Sequence, residues 1–405
     1  MSGRARRRRL STQSGEEDSD EPSQPIELKP DEWNGFCEIE SEPAFFNVML
    51  REFGVKGVKV QEVVSLEEEL LAFLNKPVYG LIFLFRWRED DPEKQEPSCP
   101  EGIWFANQTA SNACASVALL NIVNNIEGIE LGENLQQFRD FTMSFTPALR
   151  GDAVNNFEFV KRIHNSFARN MDLRNADLQL KNEATSRRRN KSTRDDEADA
   201  GFHFIAFVPA MGKVWKFDGL ERQPQSIGNC LENDWLDLVR PNILTRMEEY
   251  EEDQIEFSIL SLGRDPLLGL TEKLAVNVKS LGLVNKRLGS TTNSETAAAD
   301  GEDNTILGPD ASLSLTREAI DHAEIPANQK EAYESCSPEE LNQFQRKLSE
   351  EQQDLRAAIR LEQESEHADD DYAAGRRYNY QGYGPAVAKW LRFLARKKYL
   401  EDQLE

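Results

Sequence analysis

Four side chains in this sequence are of the types that nucleophilic attack on a carbonyl requires. Cys114 lies in FANQTASNACASVALLNIV, at the head of a run that is apolar on most faces and reads as a helix buried in a core. Peptide dipoles and unpaired N–H groups at a helix start favour an anionic sulfur. The competing reading is a small buried hydrophobe, because free Cys is among the most buried residue types. His203 stands in GFHFIAFVP, where strand alternation puts it on one face with Ile205 and Phe207. It is either a core histidine with satisfied hydrogen bonds or a general base held on a rigid strand. Asp218 precedes Gly219 where a second strand ends, so it is a turn former or the carboxylate that orients the imidazole. Gln108, upstream of Cys114, is an exposed loop residue or an amide donor to an oxyanion.

Taken together, a Cys at a helix start followed by a His and then a carboxylate on a hairpin is the chain order of papain-like thiol hydrolases. That order names a reaction class and leaves the substrate open. The elements that must position the four residues can be read from periodicity. FFNVMLREFG suggests a short helix stopped by Gly54. VKGVKVQEVV alternates like an edge strand, and Ser65 with Glu68 forms a capping-box pattern for a second helix. VYGLIFLFRW has the length and composition of a buried central strand. Ser111 or Asn112 is placed to cap the Cys114 helix. LGENLQQFRDFTMSF and VNNFEFVKRIHNSFA are amphipathic helices, the second following Gly151. FHFIAFVPAMGKVWKFDGL reads strand, turn, strand, and IEFSILSL is a last strand. Three other groups call for no chemistry: His164 reads as structural, and Cys99 and Cys230 as inert.

The composition narrows the class. The chain has 405 residues with 48 Lys+Arg against 72 Asp+Glu, a net charge of -24. A general nucleic-acid binder needs a cationic face, so no nucleic-acid partner is expected. Hydrophobic residues make up 39%, so a core must share the chain with long polar stretches. No apolar run approaches the roughly 20 residues of a membrane span, and no secretory signal is expected at the basic N-terminus. The five Cys are scattered without C-x-x-C spacing and there are four His, so neither a metal nor another cofactor is expected.

Residues 1–30 read as a disordered tail in which Arg4 and Arg6 to Arg9 either serve nuclear import or are simply solvated. Residues 173–200 are polar, charged and without period, a long insertion between ordered elements. Residues 264–289 are mildly apolar and 290–304 read as linker. Leu341, Phe344, Leu348, Leu355 and Ile359 fall near heptad spacing along one long helix, interrupted at Glu351. An acidic turn is expected at Asp369 to Asp371. Pro385 then opens a last helix with Val387, Trp390, Leu391 and Leu394 on one face.

At FANQTASNACAS the chain resembles the active-site segment of the ubiquitin C-terminal hydrolases, a family of deubiquitinating thiol peptidases. WNGFCEIESEPAFFNVMLREFGVKGVKVQEVVSL, VYGLIFLFRW, RGDAVNNFEFVKRIHNSFA, GFHFIAFVPAMGKVWKFDGL and NDWLDLVRPNILTRM are similar to that family's segments in the same order, from about Trp33 to Leu262. The resemblance implies an α+β fold: a papain-like thiol hydrolase core, its central β-sheet flanked by helices and its backbone threaded, with a C-terminal helical extension. It implies Cys114 as nucleophile, His203 as general base and acid, Asp218 as the group orienting His203, and Gln108 as oxyanion stabiliser. It further implies a catalytic domain over 31–263 with 173–200 as crossover loop, an extension and linker over 264–336, and a helical tail domain over 337–405. The tail is similar to that of the long-tailed members, which implies a proteasomal or chromatin adaptor as partner beside ubiquitin and ubiquitin adducts. A cytoplasmic or nuclear location is expected, and no membrane partner. Two other functions stay open: a ubiquitin-binding scaffold without turnover, and a cysteine peptidase for another ubiquitin-like modifier.

Overall fold

The computed structural model describes residues 35–86, 91–168, 202–230, 234–248, 257–291 and 305–377. The tail over 1–30 with its arginine cluster, the 173–200 segment, most of the 290–304 linker and the helix expected after Pro385 lie outside the described residues. So does the crossover on which the threaded path depends.

Among the described residues, a six-stranded antiparallel sheet runs in the order β1-β6-β2-β3-β4-β5. Its strands are β1 (Val58–Glu62), β2 (Val78–Arg86), β3 (Phe202–Ala210), β4 (Lys213–Phe217), β5 (Gln225–Asn229) and β6 (Ser258–Arg264). β2 and β3 lie at the centre. Their near-continuous apolar sequences follow from burial on both faces. Ile82, Phe204, Ala206 and Val208 face one cluster, while Leu81, Phe83, Phe85, Ile205 and Phe207 face the other. On the first face pack α1 (Pro43–Phe53), α3 (Cys114–Val123), α4 (Glu133–Thr142) and α6 (Glu158–Asn165). On the second pack α2 (Glu68–Leu71) and α7 (Trp235–Glu248). The arrangement is the α+β class expected from the sequence.

Local chemistry explains several boundaries. α1 stops at Gly54, which takes φ 90° and donates its N–H to Arg51 and Leu50 carbonyls. α2 is a single turn rather than the longer helix that the capping pattern suggested. Ser65 Oγ accepts the Glu67 N–H instead of starting a helix there. Pro77 lies close behind, and the residue before a proline disfavours helix. The helix expected after Gly151 is in fact two. α5 (Pro147–Asn155) starts earlier, with Pro147 in its first turn and Thr146 Oγ1 accepting the Leu149 N–H, and α6 follows after a break. β5 escaped the periodicity because every residue of it is at least partly exposed.

Residues 266–377 add a helical layer. α8 (Pro266–Thr291) and α11 (Pro338–Arg377) pack antiparallel, with α9 (Arg317–His322) and α10 (Ala327–Ser335) between them in sequence. Leu274, Ala275 and Val278 meet Leu355 and Ile359, while Leu281 and Val284 meet Leu341 and Leu348. The gap in the heptad stripe is filled by buried Gln352, whose Nε2 donates to Asn277 Oδ1 at 3.2 Å and to Ile306 O at 2.9 Å. A satisfied polar pair in an apolar seam sets helix register. The heptad pattern is thus answered within this chain, and packing crosses the boundary placed between 264–336 and 337–405.

No turn forms at Asp369 to Asp371. α11 continues through them because α1 supplies partners. Asn47 Nδ2 donates to Asp369 Oδ2 at 2.9 Å, and Arg51 pairs with Asp370. Tyr372 then rests on Phe45 with ring centroids 5.4 Å apart, and Ala373 joins the main core. Among the described residues, no helix is long and apolar enough to cross a membrane.

Asn47 also accepts the Val60 N–H at 2.7 Å and donates to Val60 O at 3.1 Å, tying α1, β1 and α11 at one buried point. Asn47→Ala should therefore cost on the order of 1–3 kcal/mol, the desolvation of the groups left unpaired. Urea unfolding checks this, and an unchanged midpoint would refute it.

Candidate active site

Cys114 is the first residue of α3, as the apolar run suggested. Neither Ser111 nor Asn112 caps it. Ala113 holds the N-cap position with no side-chain hydrogen bond. Asn112 takes φ 60° and spends its amide on Phe36 O at 3.4 Å, because it serves the turn into the helix. The helix start therefore presents its positive end toward the sulfur without a competing side-chain oxygen.

His203 lies near the start of β3, opposite Phe85 of β2, and is 4% exposed. Its Nε2–H donates to Asp218 Oδ1 at 2.7 Å. That bond fixes the proton on Nε2, and Cys114 lies near enough to act on the ring as well. Burial by itself would push the imidazole down. The hydrogen bonds and charges of Asp218 and Cys114 more than offset it and raise His203 to about 9. Asp218 is buried as well, which opposes ionisation, yet its bond and attraction to His203 and the nearby Lys216 charge hold it below the usual carboxylate range. The result is an imidazole that holds its proton beside an ionised carboxylate and next to a sulfur nucleophile, ready to pass that proton to a leaving group.

Asp218 immediately follows β4 and opens a tight turn. Its Oδ1 accepts the Leu220 N–H at 2.9 Å, and its backbone carbonyl accepts the Glu221 N–H at 3.1 Å. Gln108 meets this turn directly, donating its backbone N–H to Gly219 O at 2.8 Å. A Cβ on Gly219 would sit 3.0 Å from Gln108 Cβ, so the glycine permits the close approach. Gln108 Oε1, the acceptor atom of the side-chain amide, is buried without a hydrogen-bond partner among the described residues. All four expected residues thus converge on one corner, where α3, β3 and the turn after β4 meet.

Other residues build the corner and were not singled out in the sequence. Residues 103–106 run extended beside α3 with no strand for a neighbour, so side chains take that role. Asn125 Oδ1 accepts the Trp104 N–H at 2.9 Å and Asn121 Oδ1 accepts the Ala106 N–H at 2.8 Å. On the other side Arg150 Nη1 donates to Ile103 O at 3.1 Å and to Phe105 O at 3.2 Å. The four-residue spacing of Asn121, in the last turn of α3, and Asn125, just past its C-cap, was the available signal. Gly151 is required because a Cβ would lie 2.2 Å from Asn107 O, which is why it sits inside α5 rather than before a helix. His164 is structural. It donates from Nε2 to Cys37 O at 2.7 Å and accepts from Ser116 Oγ at 2.8 Å, and burial pushes it down to about 4. Burial raises the thiols of Cys99 and Cys230, opposing thiolate formation.

Residues 36–248, more than half of the chain, match the family described as ubiquitin carboxyl-terminal hydrolase, family 1. The chain is 38% identical over 240 residues to ubiquitin carboxyl-terminal hydrolase isozyme L5 of Dictyostelium discoideum, covering 59% of this chain and 65% of that protein. It is 36% identical over 230 residues to ubiquitin carboxyl-terminal hydrolase ubh-4 of Caenorhabditis elegans, covering 56% of this chain and 66% of that protein. Both matches span a little under two thirds of the relative. A solved structure, the Trichinella spiralis UCH37 catalytic domain bound to ubiquitin vinyl methyl ester, is similar at 31% identity and a TM-score of 0.47, covering 57% of this chain and 96% of that one.

Because Asp218 helps hold the proton on His203, Asp218→Asn should move the titration of His203 from about 9 toward lower pH. Imidazole NMR across the pH range reads this, and an unmoved titration would return Asp218 to the role of turn former.

Proposed function

The chain belongs to the ubiquitin carboxyl-terminal hydrolases of family 1, and on that premise we propose that it is a cysteine-type deubiquitinase. The proposed reaction cleaves ester, thioester or amide bonds at the C-terminal glycine of ubiquitin. One observation carries the reading: in a chain of this family, His203 bridges Asp218 and the helix-start Cys114.

In the proposed mechanism the Cys114 sulfur attacks the glycine carbonyl carbon. Negative charge then grows on the carbonyl oxygen, where the Gln108 amide and the Cys114 backbone N–H receive it. The carbon–nitrogen or carbon–oxygen bond breaks as the His203 proton passes to the leaving group. His203 next takes a proton from water, which attacks the acyl sulfur ester and frees both ubiquitin and Cys114. Asp218 stays ionised throughout and holds the ring in one tautomer.

The proposal extends to its regulation and partners. Residues 31–263 form the catalytic unit, with 173–200 limiting the size of leaving groups. Residues beyond 337 dock a proteasomal or chromatin adaptor through the face of Val387, Trp390, Leu391 and Leu394, and the Arg4 to Arg9 region supports a nuclear pool. What supports the adaptor reading is the helical spacing of these four apolar residues in the sequence, one of them aromatic and with Lys389, Arg392 and Arg396 interleaved.

A fluorogenic ubiquitin adduct, run beside one of a related modifier, tests the substrate class. Wild type should cleave the ubiquitin adduct, and a preference for the other modifier would transfer the reading to it. Cys114→Ala should abolish turnover while ubiquitin still binds. A ubiquitin bearing a C-terminal electrophile should label Cys114 and spare Cys37, Cys99, Cys230 and Cys336. Binding without turnover in wild type would mark a scaffold.

Gln108→Ala should lower kcat by about 10²- to 10³-fold, the usual cost of one oxyanion donor. Steady-state kinetics with an unchanged kcat would remove Gln108 from the site.

A further inference from the structure

Lys216 and Glu221 take no part in the chemistry just described, yet they form a buried ion pair beside it. Lys216 Nζ meets Glu221 Oε1 at 2.9 Å, with the two side chains 6% and 7% exposed. A buried pair of this kind is expensive in desolvation, and replacing it with apolar residues is often neutral or stabilising. Stability is therefore a weak reason for it to be here, and its location suggests another.

The two residues bracket the turn that carries Asp218. Lys216 is fixed in the sheet, opposite Phe207 of β3 and Gln225 of β5. Glu221 is the last residue of the turn, and its N–H closes the turn onto Asp218 O. The same turn touches the other half of the site. Gly219 O accepts the Gln108 N–H, and Glu221 O accepts from Asn107 Nδ2 at 2.5 Å. A displacement of this turn would move the carboxylate that orients His203 and the amide that receives the oxyanion together.

We propose that the Lys216–Glu221 ion pair is a positioning staple, pinning the Asp218–Glu221 turn to β4 so that Asp218 and Gln108 are set by one element. Neither residue is a catalytic residue; both act through the turn. The proposal rests on the thiol hydrolase reading for its consequences in turnover, while its geometric content stands on its own. Cys114 from α3 adjoins His203, and the Lys216 cation from β4 acts on Asp218. Loss of the staple loosens the Asp218 carboxylate, and a carboxylate displaced from Nε2 weakens the hold on the His203 proton.

The deciding variant is the full-length double substitution Lys216→Met with Glu221→Leu, which removes both charges of the pair together. Lys216→Arg, which keeps the pair, is its control. The double variant should melt at or above the wild-type temperature. On a ubiquitin adduct it should show kcat lower by about 10- to 100-fold with KM within about twofold, the signature of a misplaced group rather than lost binding. Its His203 titration, followed by NMR in a chain with four His, should move to lower pH, and Lys216→Arg should stay near wild type in both readouts. A stable double variant with wild-type kcat and an unmoved His203 titration would overturn the staple. Wild type that fails to turn over any ubiquitin adduct would sink the proposed reaction instead, and the NMR titration would still decide the staple.

Discussion

An imidazole that is 4% exposed keeps its proton only where a close partner offsets the desolvation, and for His203 that partner is the Asp218 carboxylate at 2.7 Å, with Cys114 beside the ring. Desolvation works against the cation, so the partners must be close and held still. Much of the remaining structure can be understood as the means of holding them. β3 supports the ring from the middle of a sheet buried on both faces, α3 delivers the sulfur from a helix packed against the same strands, and the turn after β4 delivers the carboxylate. The α3 helix, remote in sequence, is fixed against the β3–β4 hairpin by a shared core of Phe, Leu, Ile and Val side chains.

The segment ahead of Cys114 shows how a backbone without a strand neighbour is kept rigid. Buried N–H and C=O groups need partners, and here Asn121, Asn125 and Arg150 supply them to residues 103–106. Side chains thereby do what a β-ladder does elsewhere, and they leave the next residues, Asn107 and Gln108, set against the Asp218 turn. Gly151 and Gly219 appear at the two closest approaches to this segment.

The helical layer is joined to the sheet and its flanking helices by burial as well as by charge. Ala373 lies in the main core, Tyr372 stacks near Phe45, and Arg377 forms a bidentate pair with Glu52 while lying over the Phe167 ring. Exposed ion pairs of this sort contribute little individually. The apolar contacts and the buried Asn47–Asp369 bond therefore carry most of the docking.

Much of this was legible in the sequence. Residue type and order brought out Cys114, His203, Asp218 and Gln108, and two-sided burial wrote itself into VYGLIFLFRW and FHFIAFVP as nearly unbroken apolar runs. Gly54 marked the end of α1 because only a left-handed residue closes that helix. Local pattern failed where a distant partner outweighed it. The acidic run at Asp369 to Asp371 reads as a turn, yet α11 passes through it because Asn47 and Arg51 of α1 are there to meet the carboxylates. Gly151 reads as a helix boundary, yet it lies within α5 to clear the Asn107 carbonyl. Glu351 reads as a break in a stripe, yet Gln352 bridges the gap through Asn277. Lys216 and Glu221 carry no sequence signal at all, since a Lys and a Glu near a turn are ordinary surface residues until a sheet buries both. Periodicity and residue chemistry, which depend on neighbours within a few positions, therefore determined the elements and the reacting groups. The tertiary structure alone decided which polar groups would be buried opposite one another, because burial is set by packing between elements, as where Asn47 of α1 meets Asp369 of α11 across 322 residues of chain.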